Sequence, residues 1–138
     1  MMRKLVILSL LAAMAAVAPV LAADAPKTTF LDYDDDLMHD LDRTIKFFEP
    51  DVSGENDQGI ADDAAVLRQG FEYTEKYFAK ISTGADAVKI SRDGLSLLDT
   101  VLKNVSDKKF DAAAEGARSV AEACKACHVL YKPKQARS

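Results

Sequence analysis

Both cysteines of the chain lie in one five-residue run near its C-terminus, Cys124-Lys125-Ala126-Cys127-His128. Two thiols three positions apart on a helix share a face and lie about one turn apart, so both can bond to the vinyl groups of one porphyrin. The histidine that follows directly can turn an imidazole nitrogen onto the iron as the proximal ligand. The run therefore predicts a c-type haem attachment site that carries one covalent haem c.

Two other kinds of site use cysteines at this spacing. A redox disulfide would suit Cys-x-x-Cys, but that motif usually opens a helix beside a βαβ pattern. Here it lies near the end of a long helical segment, and no strand pattern precedes it. Structural zinc needs about four ligands. The only other histidine, His39, is far away in sequence, so a zinc site would have to recruit carboxylates.

The N-terminal segment predicts export. Arg3 and Lys4 precede a mainly apolar run over 5–17, and the segment closes on small residues at Ala22 and Ala23. That pattern is typical of a secretory signal peptide, with cleavage after Ala22 as the first choice and after Ala23 as the second. Because the apolar run is marginal for a membrane span, an uncleaved anchor is the alternative.

The predicted export agrees with the predicted cofactor, since haem is attached covalently outside the bacterial cytoplasm. We therefore expect residues 1–22 to be a cleaved signal peptide and residues 23–138 to form one periplasmic domain without stable membrane insertion. Removing Arg3 and Lys4 with the leader changes the formal charge from −4 to −6. No uniformly basic surface is expected, which argues against a nucleic-acid partner.

Apolar residues recur in steps of four and three positions, a spacing typical of amphipathic helices. The three clearest stripes are Ile60, Ala64, Leu67, Phe71, Thr74, Phe78 and Ile81; then Val88, Ser91, Leu95, Leu98, Leu102 and Val105; then Phe110, Ala113, Ala117, Val120, Cys124, Cys127 and Tyr131. A less regular first stripe contains Leu31, Met38, Leu41, Ile45 and Phe48. No stripe can be buried alone, so the four helices should pack on one another.

Polar segments that contain turn-forming residues separate the stripes. The predicted connections are 50–59, 82–84 and 104–107. Gly84 is expected to end the second helix, and Ser106 or Asp107 is expected to cap the last one. Pro133 should stop the last helix soon after Tyr131. Short links between long helices predict an all-α, antiparallel up-down-up-down four-helix bundle.

A haem motif on the last helix of such a bundle resembles the class II cytochromes c, the cytochrome c-prime family. The resemblance rests on the run 124–128 near the C-terminus and on the Val-Leu-Tyr-Lys run at 129–132. In the family, an aromatic and then a basic residue commonly follow the histidine at these spacings. The resemblance covers the whole mature chain. Class I cytochromes c instead carry the motif near the N-terminus and a methionine ligand late in the chain, and here no methionine follows Met38.

The resemblance implies that a residue of the first helix faces the distal side of the haem. That residue is apolar and unligated in high-spin members, and it is a methionine ligand in a low-spin subgroup. Met38 ends the matching stretch 33–38 and shares the inward phase of Leu41 and Ile45, so we expect it to bind the iron. The alternatives are a core methionine beside an open iron and ligation by His39, which lies about 100° round the helix toward the polar face.

These assignments predict an electron-transfer protein, not an enzyme, in which His128 and Met38 are the axial iron ligands. The alternative is a five-coordinate haem protein that binds nitric oxide or carbon monoxide, as the high-spin members of the family suggest. A helical module without haem is the third hypothesis. No nucleophile–base constellation is recognisable in the sequence.

Two groups of charged residues, one acidic and one basic, lie near the two ends of the domain. An acidic group comprises Asp32, Asp34, Asp35, Asp36, Asp40 and Asp42. We interpret it as a solvated face that favours the helix start, with docking of a basic periplasmic redox partner as the alternative. A basic group comprises Lys125, Lys132, Lys134 and Arg137, of which Lys132 is expected near His128 or a haem propionate. The resemblance also allows a homodimer through the first two helices, with Tyr73 and Tyr77 as exposed contacts.

Overall fold

The computed structural model describes residues 33–132, and within that range every regular element is an α-helix. The four helices of this range are α1 (Asp35–Ser53), α2 (Asp57–Phe78), α3 (Ala85–Ser106) and α4 (Phe110–Tyr131). The predicted all-α class is confirmed. The predicted signal peptide 1–22, the first-stripe residue Leu31 and the charged or helix-ending residues Asp32, Pro133, Lys134 and Arg137 lie outside the described residues.

Neighbouring helices run in opposite directions. The ion pairs between α2 and α3 are Arg68–Asp99 and Arg92–Glu75, so the residue number rises on one helix as it falls on the other. Each helix packs on the next one in the chain, and α4 also packs on α1. This arrangement is consistent with the predicted up-down-up-down four-helix bundle. No helix within 33–132 is both long and apolar enough to cross a membrane.

The core contains residues of all four predicted stripes, together with Val52 and Val101, which the stripes did not include. Its largest fully buried apolar side chains are Phe48, Val52, Leu67, Leu98, Val101 and Val120. Full burial of such a side chain is worth about 1.5–3 kcal/mol relative to exposure. Glycine lets the helices approach closely at one level of this core, because a Cβ on Gly94 of α3 would lie 2.4 Å from Cε1 of Phe71 on α2.

The first connection is shorter than the predicted segment 50–59. Helix α1 continues through Pro50 to Ser53, and only residues 54–56 separate it from α2. Proline costs an interior helix one backbone hydrogen bond. Val52 lies just beyond the proline and is fully buried, and its packing offsets that cost.

The other two connections differ from the prediction in their caps. Gly84 does not end α2; it is the N-cap of α3, with a φ of −89°. Ser106 and Asp107 do not cap α4 either, because Ser106 is the last residue of α3 and Asp107 is its C-cap.

Two left-handed residues that are not glycine make the turns before α2 and α4. Glu55 has a φ of 54° and Lys108 a φ of 60°. Glycine is the usual residue for that conformation. The sequence therefore lacks the glycine that usually marks a left-handed position in such turns.

Candidate haem-attachment site

The predicted attachment run lies in the last two turns of α4. The side chains of Cys124, Cys127 and His128 are each half-buried. Both thiols are free and do not form a disulfide. Spacings of three and four residues bring thiols and imidazole to one face of the helix. Two anchoring thiols and one imidazole are the donor set that haem attachment requires, because only the imidazole must reach the iron.

The part of α1 that lies beside the motif is defined by an ion pair further along the two helices. Nη1 of Arg118 on α4 donates to Oε1 of Glu49 on α1 over 2.8 Å. Because α1 and α4 are antiparallel, the residue eleven positions before Glu49 lies at the same level along the bundle as the residue eleven positions after Arg118. These two residues are Met38 and Val129. Met38 therefore lies level with the end of the motif, and its side chain is half-buried.

Electrostatic contacts support the same register. The carboxylate of Asp42 on α1 acts to raise the pKa of both Cys124 and His128 on α4. Tyr33, just before α1, is within electrostatic reach of Cys127. The start of α1 and the end of α4 thus form one region of the bundle.

Burial controls the protonation of the two thiols. It raises the pKa of Cys124 and of Cys127 to about 11, and the neighbouring Cys127 adds to the effect on Cys124. Both thiols are therefore protonated at neutral pH. A redox Cys-x-x-Cys pair depends on a lowered thiol pKa, so these values argue against the redox-disulfide alternative.

The imidazole of His128 is favoured in its neutral form. Burial is the main cause that lowers its pKa; the charge of Lys132 adds to the effect, and Asp42 opposes it. The neutral form is the one that binds a metal. Lys132 is exposed, and its charge reaches His128. A contact between Lys132 and a haem propionate stays a prediction.

Within residues 33–132, no group of three or more histidine, cysteine, aspartate or glutamate side chains converges to hold a metal ion. On α1, Met38 is half-buried while the competing residue His39 is exposed, in agreement with their predicted phases.

Most of the described acidic group has a structural partner. Asp34 caps α1, since its Oδ1 accepts the N–H of Leu37 over 3.0 Å. The other members are Asp35 and Asp36 in the first turn, Asp40 paired with Arg43, and Asp42 paired with Lys46. Negative charge in a first helical turn is stabilising, so the contacts favour the interpretation as a solvated helix start.

A cluster of aromatic rings beside the motif is a feature that the sequence patterns did not indicate. Its members are Tyr33, Tyr73, Tyr77, Phe78 and Tyr131, which include all four tyrosines of the chain. Tyr73 and Tyr77 are half-buried in it, not exposed as expected for a dimer contact. In the sequence, only the spacing of four residues between Tyr73 and Tyr77 on α2 indicated that these two rings could lie side by side.

Tyr33 is fixed in this cluster by a hydrogen-bond chain into α2. The Thr74 hydroxyl donates to the Gly70 carbonyl over 2.8 Å, so the Tyr33 hydroxyl donates to Thr74 Oγ1 over 2.7 Å. Burial raises the pKa of Tyr33 to about 12.

The site is defined by its residues and their geometry alone. Comparison of the chain with protein-family models, with curated proteins and with solved structures finds no match.

Proposed function

We propose that this chain is a periplasmic electron-transfer protein of the class II cytochrome c type. One haem c is attached through the thiols of Cys124 and Cys127, and His128 and Met38 are the axial ligands. The observation that carries the proposal is the placement of the motif on α4, half-buried and level with the half-buried Met38 of α1. When bound, haem c supplies a one-electron couple between ferric and ferrous iron.

The residues of the site have separate tasks in this proposal. The two cysteines anchor the porphyrin, and their i, i+3 spacing sets its position along α4. His128 offers a neutral nitrogen, which is supported by the burial that lowers its pKa. Met38 offers a thioether, which favours a higher reduction potential than a second histidine. A filled sixth position also excludes small gaseous ligands.

The proposal places the protein and its partners outside the cytoplasm. Residues 1–22 have the pattern of a cleaved signal peptide. Electron donors and acceptors would then be periplasmic redox proteins. No catalytic role is proposed, because the site contains anchoring and ligating groups without a nucleophile–base pair.

The test of the distal ligand is Met38→Ala in the haem-loaded protein. We expect the wild type to be low-spin in both redox states and to bind carbon monoxide poorly when reduced. The variant should be high-spin and should bind carbon monoxide readily, because the sixth position is open. The matched control is Leu37→Ala, which shortens the neighbouring half-buried side chain on α1 and should keep the wild-type spectrum.

Two outcomes would contradict the assignment of Met38. A high-spin wild type that binds carbon monoxide readily would favour the gas-binding alternative. A low-spin spectrum that survives Met38→Ala and disappears in His39→Ala would assign the sixth position to His39.

A further inference from the structure

Helix α3 begins without a side-chain cap of its own. Its N-cap is Gly84, which has no side chain to accept from the first-turn amides. A capping serine or aspartate is excluded there, because a Cβ on Gly84 would lie 2.2 Å from the carbonyl oxygen of Phe78. The first amides of a helix have no acceptor within that helix. Ala87, the third residue of α3, carries one of these amides and is fully buried.

Tyr131 of α4 supplies the missing acceptor. The N–H of Ala87 donates to its phenol oxygen over 3.3 Å. The phenol donates in turn to the carbonyl oxygen of Thr83 over 3.0 Å. Its ring also packs on Phe78, with 4.7 Å between the ring centroids. One hydroxyl therefore joins the last turn of α4 to the first turn of α3 and to the connection before it.

The same turn of α4 carries His128. Tyr131 follows His128 by three positions, so the two side chains are neighbours on the helix surface. The helix ends at Tyr131, and the next N–H, that of Lys132, donates to the carbonyl of His128 over 3.0 Å. Carbonyl groups in a last turn otherwise lack helical partners, and such turns open easily. A contact outside the helix can therefore hold this turn in place.

We propose that Tyr131 is a positioning residue for His128. Its hydroxyl caps α3 and thereby fixes the turn of α4 that presents the imidazole. The role toward iron rests on the proposed function, whereas the capping of α3 does not. The hydroxyl carries the effect, because phenylalanine at this position would keep the ring contact with Phe78 and lose both hydrogen bonds.

The test is Tyr131→Phe, with Tyr73→Phe as the matched control. Tyr73 belongs to the same aromatic cluster, but its hydroxyl accepts the backbone N–H of Asp34, just before α1, over 3.1 Å. Two measurements are made on the haem-loaded proteins well below their unfolding temperature. Hydrogen exchange reports the protection of the Ala87 amide. Electron paramagnetic resonance of the ferric protein reports the orientation of the axial ligands.

We expect Tyr131→Phe to raise the exchange rate of the Ala87 amide about tenfold, as for the loss of one buried hydrogen bond. The resonance of the low-spin iron should broaden or split, because the imidazole samples more orientations. Tyr73→Phe should leave the exchange of the Ala87 amide at the wild-type rate, because the acceptor of that amide is Tyr131. A general loss of stability would not change the resonance of the molecules that remain folded.

An unchanged resonance in Tyr131→Phe would overturn the proposal even with faster exchange, because Tyr131 would then be a cap alone. Unchanged exchange with an altered resonance would also overturn it, since the effect would not pass through α3. If wild-type protein carries no haem, the proposed function and this role of Tyr131 both fail. A wild-type resonance in the variant leaves the proposed function standing.

Discussion

Cys124, Cys127 and His128 share one electrostatic property, since burial disfavours the charged form of all three. Burial raises the pKa of both thiols to about 11 and lowers the pKa of the imidazole. Their types and spacing were read directly from the sequence, because five adjacent residues carry the whole pattern. Their burial could not be predicted in this way, since it depends on how the helices pack.

A prediction at the same scale concerns Asp63 on α2. Its Oδ2 is enclosed and has no hydrogen-bond partner. Burial is the main cause that raises its pKa above 3.8, and the nearby Asp51 and Asp62 add to it. A carboxyl group whose pKa is raised by folding binds more protons in the folded state, so its ionised form destabilises the protein above that pKa. The destabilisation disappears below the usual aspartate pKa.

We therefore expect Asp63→Asn to raise the free energy of unfolding at pH 7, because the amide removes the partly buried charge. The gain should shrink as the pH falls toward 3.8. Urea unfolding of the haem-loaded protein at several pH values measures it. The control is Asp62→Asn. The exposed Asp62 accepts from Gln58 over 2.9 Å and contributes less than burial to the raised pKa of Asp63, so its loss should bring a smaller gain. A variant less stable than wild type at pH 7 would contradict the prediction.

At the scale of helices, the apolar stripes predict which segments are helical but not where each helix ends. The stripes beginning at Ile60, Val88 and Phe110 all lie within α2, α3 or α4 over most of their length. Helix ends depend on tertiary contacts that a local pattern does not contain. Pro50 is kept inside α1 by the burial of Val52, and Gly84 begins α3 where the carbonyl of Phe78 leaves no room for a side chain.

The turn of α1 beyond Pro50 gives a prediction at this scale. Val52 is fully buried, so Val52→Ala should lower the free energy of unfolding by about 2 kcal/mol. The control is Ser53→Ala, an exposed neighbour whose hydroxyl donates to Glu49 over 2.8 Å. Its cost should stay within about 0.5 kcal/mol. Equal costs for the two substitutions in thermal or urea unfolding would show that this turn is not packed.

At the scale of the whole molecule, the bundle brings the motif and the aromatic cluster to one end. The start of α1, the end of α2, the start of α3 and the end of α4 meet there, because neighbouring helices are antiparallel. Val129 and Leu130 beside the motif are 83% and 49% exposed. The sequence indicated the motif and Met38 separately, and the antiparallel register brings them to one level. The sequence indicates Tyr131 only by its place after His128, whereas its hydrogen bonds to α3 depend on the fold.

The ion pairs of the surface contribute little to this arrangement. Each pair between helices joins an exposed side chain to a partly exposed one, as in Arg118–Glu49, where the exposed fractions are 59% and 32%. Exposed pairs of this kind are worth about 0–1 kcal/mol each and weaken in salt. The relative position of Met38 and His128 should therefore depend on the apolar core and on the aromatic cluster, and it should persist at high ionic strength.

Covalent haem attachment is tested most directly by the intact mass of the exported protein after extraction with acidified organic solvent. The protein is produced in a cell that attaches haem c in the periplasm. We predict a chain that begins at Ala23 and still carries the mass of one haem. Cys124→Ser with Cys127→Ser should give the bare chain. A wild-type chain that loses its red colour to the solvent and has the bare mass would contradict covalent attachment and the proposed function with it.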